Sequence, residues 1–254
     1  MRRATGLAVV FFLLVLVLWG CAPALREPAP LPTLPGAPAD PLAEARQAWA
    51  SRPDRAAVER ALQLYLQAAE ADPAGTAGLL GAAEAAAWLV EHERSASTRE
   101  SFVSRGLQAA QWCRKRDASD PACAYRLAIA VGQEVREQPT TAADGLKTML
   151  ALLREAAAGA PALDHGGPQR VLALVLLRAP AWPVGPGDPE EGLVQARAAV
   201  AADPSYPPNQ LALAEALEKT GAEEEGKALR VRAREEAARR AQAGDPDAAD
   251  WLED

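Results

Sequence analysis

Apolar and polar side chains follow one another along this chain with the period of an α-helix. From Pro41 onward apolar residues return every three or four positions, as in Val58, Leu62, Tyr65 and Ala69, or Leu146, Met149, Leu150 and Leu153. That spacing gathers side chains on one face of a helix, whereas a half-buried strand needs strict alternation. No strand-length window alternates, and alanine is abundant while β-branched residues are few. Prolines, glycines and polar clusters divide the pattern into ten predicted helices: 42–51, 54–72, 77–93, 97–116, 121–137, 140–159, 168–179, 188–203, 207–220 and 222–243. Short connections between consecutive helices favour antiparallel hairpins. Several ends carry their own signals. Ser97 with Glu100 fits a capping box, and Asp188-Pro189-Glu190-Glu191 supplies an N-cap, a first-turn proline and an N3 glutamate. Gly221 and Gly244 follow helical runs as C-terminal stops.

A second order lies above the helices. Asp-Pro recurs at Asp72-Pro73, Asp120-Pro121 and Asp203-Pro204, read as closing one helix and opening the next. Upstream of Pro73 stand Ala61, Tyr65 and Ala68, and at the same offsets from Pro204 stand Gly192, Ala196 and Ala199. Before Pro121 the pattern weakens, because Ala109 and Cys113 fit but Arg116 occupies a small-residue position. Small side chains let paired helices approach closely, and proline stops the second of them. The arrangement resembles the second helix and exit turn of a tetratricopeptide repeat (TPR); a chance alanine-rich bundle is the alternative. The resemblance implies an all-α fold of antiparallel hairpins stacked as a right-handed superhelix, over residues 41–244, with a short tail at 245–254.

The N-terminus reads differently. Arg2 and Arg3 precede an unbroken apolar run, Leu7–Trp19, which closes on Gly20-Cys21. Positive charge, apolar core and a small residue before the cleavage point make a secretory leader. A cysteine directly after that small residue makes it a lipoprotein leader, with residues 1–20 removed and Cys21 lipidated. Trp19 is bulkier than the residue usual there. The alternative, an uncleaved membrane helix, needs about 20 apolar residues, more than this run holds. Residues 22–39 are rich in proline and alanine and form a semi-rigid spacer. With no Asp following Cys21, the expected site is the outer membrane, facing the periplasm.

Charge removes some functions. The chain carries 27 Lys+Arg against 34 Asp+Glu, net −7, and loss of Arg2 and Arg3 with the leader takes it to −9. Nucleic-acid binding rests on a cationic surface, which this balance argues against, as it does against electrostatic adhesion to anionic lipid. Glu223–Glu225 and Glu235-Glu236, interleaved with Lys227 and the arginines of 230–240, read as solvated helical faces. Lipidation of Cys21 leaves Cys113 and Cys123, either a disulfide in an oxidising periplasm or two buried thiols.

Catalytic equipment is not evident. His92 and His165 stand apart, the first in a solvated Glu91-His92-Glu93 context; neither HExxH nor a paired CxxC occurs, and no GxSxG or GxxxxGK[ST] is present. The expectation is a non-enzymatic chain without metal or cofactor. One segment breaks the repeat: Ala179-Pro180-Ala181-Trp182-Pro183-Val184-Gly185-Pro186-Gly187-Asp188 fills a place where a two- or three-residue turn would serve. Long loops on rigid scaffolds often carry function. This insertion, followed by a helix and Tyr206-Pro207-Pro208-Asn209-Gln210-Leu211, resembles the T-component family of tripartite ATP-independent periplasmic (TRAP) transporters. The resemblance implies a helical lipoprotein that pairs with a periplasmic solute-binding protein and helps to shuttle hydrophobic ligands. It makes Arg170 and Trp182 candidates for a ligand- or partner-facing surface, although Trp182 could equally cover the end of the helix stack. Trp88, Trp112 and Tyr125 could line an apolar pocket or fill ordinary core. The alternative function is a cell-envelope adaptor without a small ligand. Oligomeric state is open.

Overall fold

The computed structural model describes residues 36, 38–138 and 142–252. Among these, ten α-helices follow one another: α1 Pro41–Trp49, α2 Arg55–Ala71, α3 Ala77–Glu91, α4 Ala96–Arg116, α5 Pro121–Glu137, α6 Ala142–Gly159, α7 Gly167–Arg178, α8 Pro189–Ala202, α9 Pro207–Lys219 and α10 Glu223–Gln242. Short 3-10 turns add Leu163–His165 and Asp250–Leu252. No strand occurs among the described residues beyond one isolated bridge, Ala181 to Gly187. Consecutive helices pack in five hairpins, and α3 touches α5 as α7 touches α9, so the first helices of successive hairpins line one face of the stack. The architecture is an all-α solenoid of TPR type.

The helix ends show why the chain breaks where it does. Asp40, Asp54, Asp120 and Asp188 each accept backbone N–H groups of the first turn they open. Such N-caps satisfy donors that the helix cannot reach. Three of them are followed by a proline at the first helical position, where its missing N–H costs nothing. Gly221 and Gly244 take left-handed backbone (φ 93° and 87°). Ala222 N–H reaches back to Leu217 O at 2.9 Å and Asp245 N–H to Arg240 O at 3.0 Å, the signature of a Schellman stop.

Two sequence expectations need correcting. α4 starts at Ala96, with Ser95 as its flanking residue, so Ser97 lies inside the first turn and forms no capping box with Glu100. Asp120-Pro121 does not close a helix: α4 has already ended at Arg116, and Asp120 is the N-cap of α5. The true counterpart of Asp203 is Asp117. Each accepts both the N–H and the hydroxyl of the serine two residues on, Ser119 and Ser205. Shifting the frame by three residues replaces Ala109, Cys113 and Arg116 with Gly106, Ala110 and Cys113, all buried. The middle of the chain then obeys the small-residue rule too. Arg116 is freed from that rule for another task, donating to Ala69 O, Asp72 O and Gly75 O and so sealing the end of α2.

Alanine dominates the core because the helices touch almost backbone to backbone. At Gly78 a Cβ would lie 2.6 Å from Ala69 N and 2.7 Å from Tyr65 O, too close for any side chain. One continuous core runs from Ala45 through Leu62, Leu89 and Leu153 to Leu172 and Leu176 of α7. A separate small cluster, Ala173, Leu177, Ala196 and Ala216, serves the last two hairpins.

Candidate functional site

The face formed by α3, α5 and α7 borders an open groove of about 760 Å³ that Trp49, Asp247 and Asp250 also line. Its lining follows from register: Glu84 and Trp88 project from α3, Arg126 and Gln133 from α5, and Arg170 from α7. These are largely polar, and they hold one another. Arg126 Nη2 donates to Glu84 Oε1 at 2.6 Å, and Gln133 Nε2 donates to Ala87 O and to Glu91 Oε1. Burial alone would depress the Arg126 guanidinium, but the neighbouring Glu84 charge outweighs it and holds the pKa above the ordinary arginine value. Trp88 stacks its ring on His92 at 3.7 Å between centroids, and its buried indole N–H has no hydrogen-bond partner.

At the far end of the groove lies a polar knot between the third and fourth hairpins. Asp164 accepts the Tyr125 hydroxyl at 2.7 Å and the Arg170 guanidinium at 3.1 Å. Arg170 also donates to Asn209 Oδ1 at 3.0 Å and lies over the Tyr206 ring. Asn209, fully buried, spends its amide on His165 O, Ala199 O and Asp203 O. Burial pushes the Tyr125 hydroxyl well above the usual tyrosine range and that of Tyr206 up to about 12. Both stay protonated and act as fixed donors or aromatic surface.

The residues after α10 cross back over this face. Asp247 meets the Arg52 fork at 2.9 and 3.0 Å, Asp250 lies 3.2 Å from His92 Nε2, and Trp251 packs edge-on against Tyr206. The tail is therefore part of the site.

Of the residues singled out in the sequence, Arg170 faces the groove but is held in the knot, its side chain 12% exposed. Trp182 lies beyond the opposite end of α7, with about 12 Å of helix between Arg170 and that end, and is 86% exposed. A ring this exposed does not serve as a cover for the end of the helix stack. The loop that carries it is pinned by Gly187 N–H to Pro180 O and Asp188 N–H to Leu176 O. Cys113 and Cys123 are joined as a disulfide, Cα–Cα 5.3 Å, tying α4 to α5. Cys21 and the leader lie outside the described residues. Of the three aromatics proposed for a pocket, Trp88 lines the groove; Tyr125 is core, and Trp112 packs on the core with Lys115 over its ring. His92 is not merely solvated either, since its Nδ1 lies 2.8 Å from Trp88 O. His165 stacks on Tyr206 and meets Asp203 at 2.8 Å.

Sequence reasoning missed Arg52, Glu84, Arg126 and the tail aspartates. A signal existed for some: contacts linking successive hairpins recur about one repeat apart, Glu84 to Arg126 at 42 residues and Arg99 to Glu137 at 38. Among the described residues no group of three or more His, Cys, Asp and Glu is arranged to hold a metal ion, and no helix is long and apolar enough to cross a membrane.

No family model and no curated protein matches the chain. Among solved structures it is similar to TTC0263, a thermophilic TPR protein of Thermus thermophilus, at 19% identity and a TM-score of 0.59, covering 84% of this chain and 97% of that one. A structure of MamA is also similar, at 14% identity and a TM-score of 0.48, over 74% of this chain and 93% of that one. The first likeness is one of fold, a TPR-type stack.

Proposed function

We propose that the chain is a lipid-anchored scaffold, facing the periplasm, that binds a protein partner along the groove of its TPR superhelix. The observation that carries this reading is the groove itself, a rigid concave face built from successive first helices and lined with a set pattern of charges and rings. Stacked repeats use such extended concave surfaces for binding. The leader and Cys21 supply the export signal and the anchor, and the proline-rich spacer holds the body clear of the bilayer. A Cys113–Cys123 disulfide supports an oxidising compartment, where such bonds persist.

In its finer form the partner is a periplasmic solute-binding protein and the chain a T-component of a TRAP-type transporter, with the exposed Trp182 loop as a second contact. Because the groove lining is ion-paired rather than apolar, a protein segment suits it better than a hydrophobic ligand. The envelope-adaptor reading shares the anchor and the groove and differs only in the partner.

Substituting Cys21→Ser moves the protein from the membrane fraction to the soluble periplasmic fraction. Retention on membranes at high salt would overturn the anchor. Capture on the full chain then separates the partners. A solute-binding protein supports the transporter form, and recovery confined to outer-membrane assembly or peptidoglycan-associated proteins sinks it.

A further inference from the structure

In a stack of repeats each unit touches its neighbours, and side-chain bonds joining one hairpin to the next here reach about one repeat along the chain, 37 residues in Arg178–Glu215 and 47 in Arg116–Ala69. The tail breaks that rule. Arg52 to Asp247 spans 195 residues and His92 to Asp250 spans 158, so the last segment of the chain is fastened to the first two hairpins across the open face.

The receiving side is fixed independently of the tail. Arg52 donates from Nη1 to Trp49 O at 2.9 Å, and its guanidinium carbon lies over the Trp49 ring at 3.8 Å from the centroid, which leaves its remaining fork aimed at a carboxylate. A fork of this kind matches a carboxylate in bidentate fashion. The His92 ring is clamped between the Trp88 indole and the Trp88 carbonyl, presenting Nε2 outward. Tyr206, stacked on His165, meets an aromatic ring, Trp251, at 74° and 5.2 Å between centroids. The hold on the tail is modest, since the Asp247 and Asp250 side chains stay 38% and 46% exposed, and ion pairs open to water are weak. Beneath the tail the groove continues along Trp88 and Arg126.

We propose that Asp245–Leu252 is a built-in occupant of the groove, standing in for the partner, and that the partner presents an acidic segment of the same chemistry: two carboxylates three residues apart with an aromatic ring beside the second. This rests on the protein-binding reading above and specifies what the groove accepts. The tail gates the groove by occupying it, and a partner segment must displace it.

The test uses the full chain and a fluorescein-labelled synthetic peptide copying residues 245–252. Asp247→Lys with Asp250→Lys releases the tail. Fluorescence anisotropy then shows the peptide binding the released variant at least ten-fold more tightly than the parent chain, because a tethered segment competes at an effective concentration on the order of millimolar. Adding Arg52→Gln to the released variant removes that gain, and circular dichroism shows that each variant keeps its helices. Equal binding to parent and released chains, or none to a folded released chain, overturns the proposal. So does a parent dimer that the two lysines dissolve, since the tail would then belong to a second copy. If the peptide binds as stated but the full chain captures no envelope protein, the scaffold reading fails and the groove assignment stands. If parent and released chains capture a partner equally, the partner docks elsewhere and the groove assignment fails.

Discussion

The first three hairpins and the last two are built on one plan but held by different forces. In α1–α6 a single apolar core runs the length of the stack and reaches into α7 through Leu172 and Leu176. In α7–α10 the apolar cluster shrinks to Ala173, Leu177, Ala196 and Ala216, with Leu193 and Leu213 alongside. Ion pairs lace both halves, as in Arg99–Glu137 and Arg126–Glu84 of the first, but against so small an apolar cluster polar contacts carry a larger share of the second. Asn209 knots α7 to α9, Arg178 and Lys219 share Glu215, and Arg230 grips Glu218 from α10. Apolar burial scales with area, does not titrate and is not weakened by charge screening, whereas partly exposed charges are screened and titrate. The two ends should therefore fail under different conditions.

The largest effect tests the apolar half. Leu62→Ala, at a side chain 1% exposed, is expected to cost about 3–5 kcal/mol, the transfer loss plus a cavity that rigid neighbours cannot fill. Leu177→Ala in the smaller cluster, where short side chains can close in, should cost nearer to about 2 kcal/mol. Urea midpoints of the two variants measure the gap, and equal costs would mean that the halves share one core after all.

Next in size is Asn209→Ala. Its amide serves three carbonyls at 2.7, 2.8 and 3.1 Å, and its oxygen receives Arg170. Removal leaves buried acceptors and a guanidinium short of partners, at about 2–3 kcal/mol. Hydrogen exchange should show faster opening in α7–α10 and little change in α2–α4. Uniform loss of protection would join the two regions into one cooperative unit.

Much of the fold was legible in the sequence, and the reasons are physical. Helix period and Asp, Pro and Gly punctuation are local, so all ten helices and both glycine stops could be placed from the chain alone. The Asp-Pro dipeptide misled because proline after aspartate serves two ends: the extended backbone it imposes on the preceding residue suits a C-terminal exit at Asp203 and an N-cap at Asp120 alike. Only the contacts of Arg116 and Ser119 reveal which is which. Arg170 stood out beside an unusual loop, and it does face the groove, but its partner Asn209 is another helix away. The tail was unreadable as part of a site, since Asp247 looks like any acidic end until the superhelix carries it back to Arg52.

The smallest effect is the most diagnostic of the polar half. Burial works to raise the Glu215 pKa, but the hydrogen bond and charge of Arg178, with Lys219 behind it, outweigh burial and hold the carboxyl below its ordinary value of 4.5. A carboxylate depressed in the folded state adds stability at any pH above its unfolded value. That contribution is lost as pH falls below 4.5 and through the folded value. Because the pair has one side to water, it amounts to roughly 1 kcal/mol at most. Glu215→Gln should accordingly lower the urea midpoint at neutral pH and match the parent once the pH has fallen through the folded value, with the exchange protection of α9 and α10 following the same course. Convergence of the two chains at acid pH would place the stability of the last hairpins in their charges. A constant difference across that range would assign it to the packing of the glutamate stem, and the contrast between the two ends of the stack would then be one of degree.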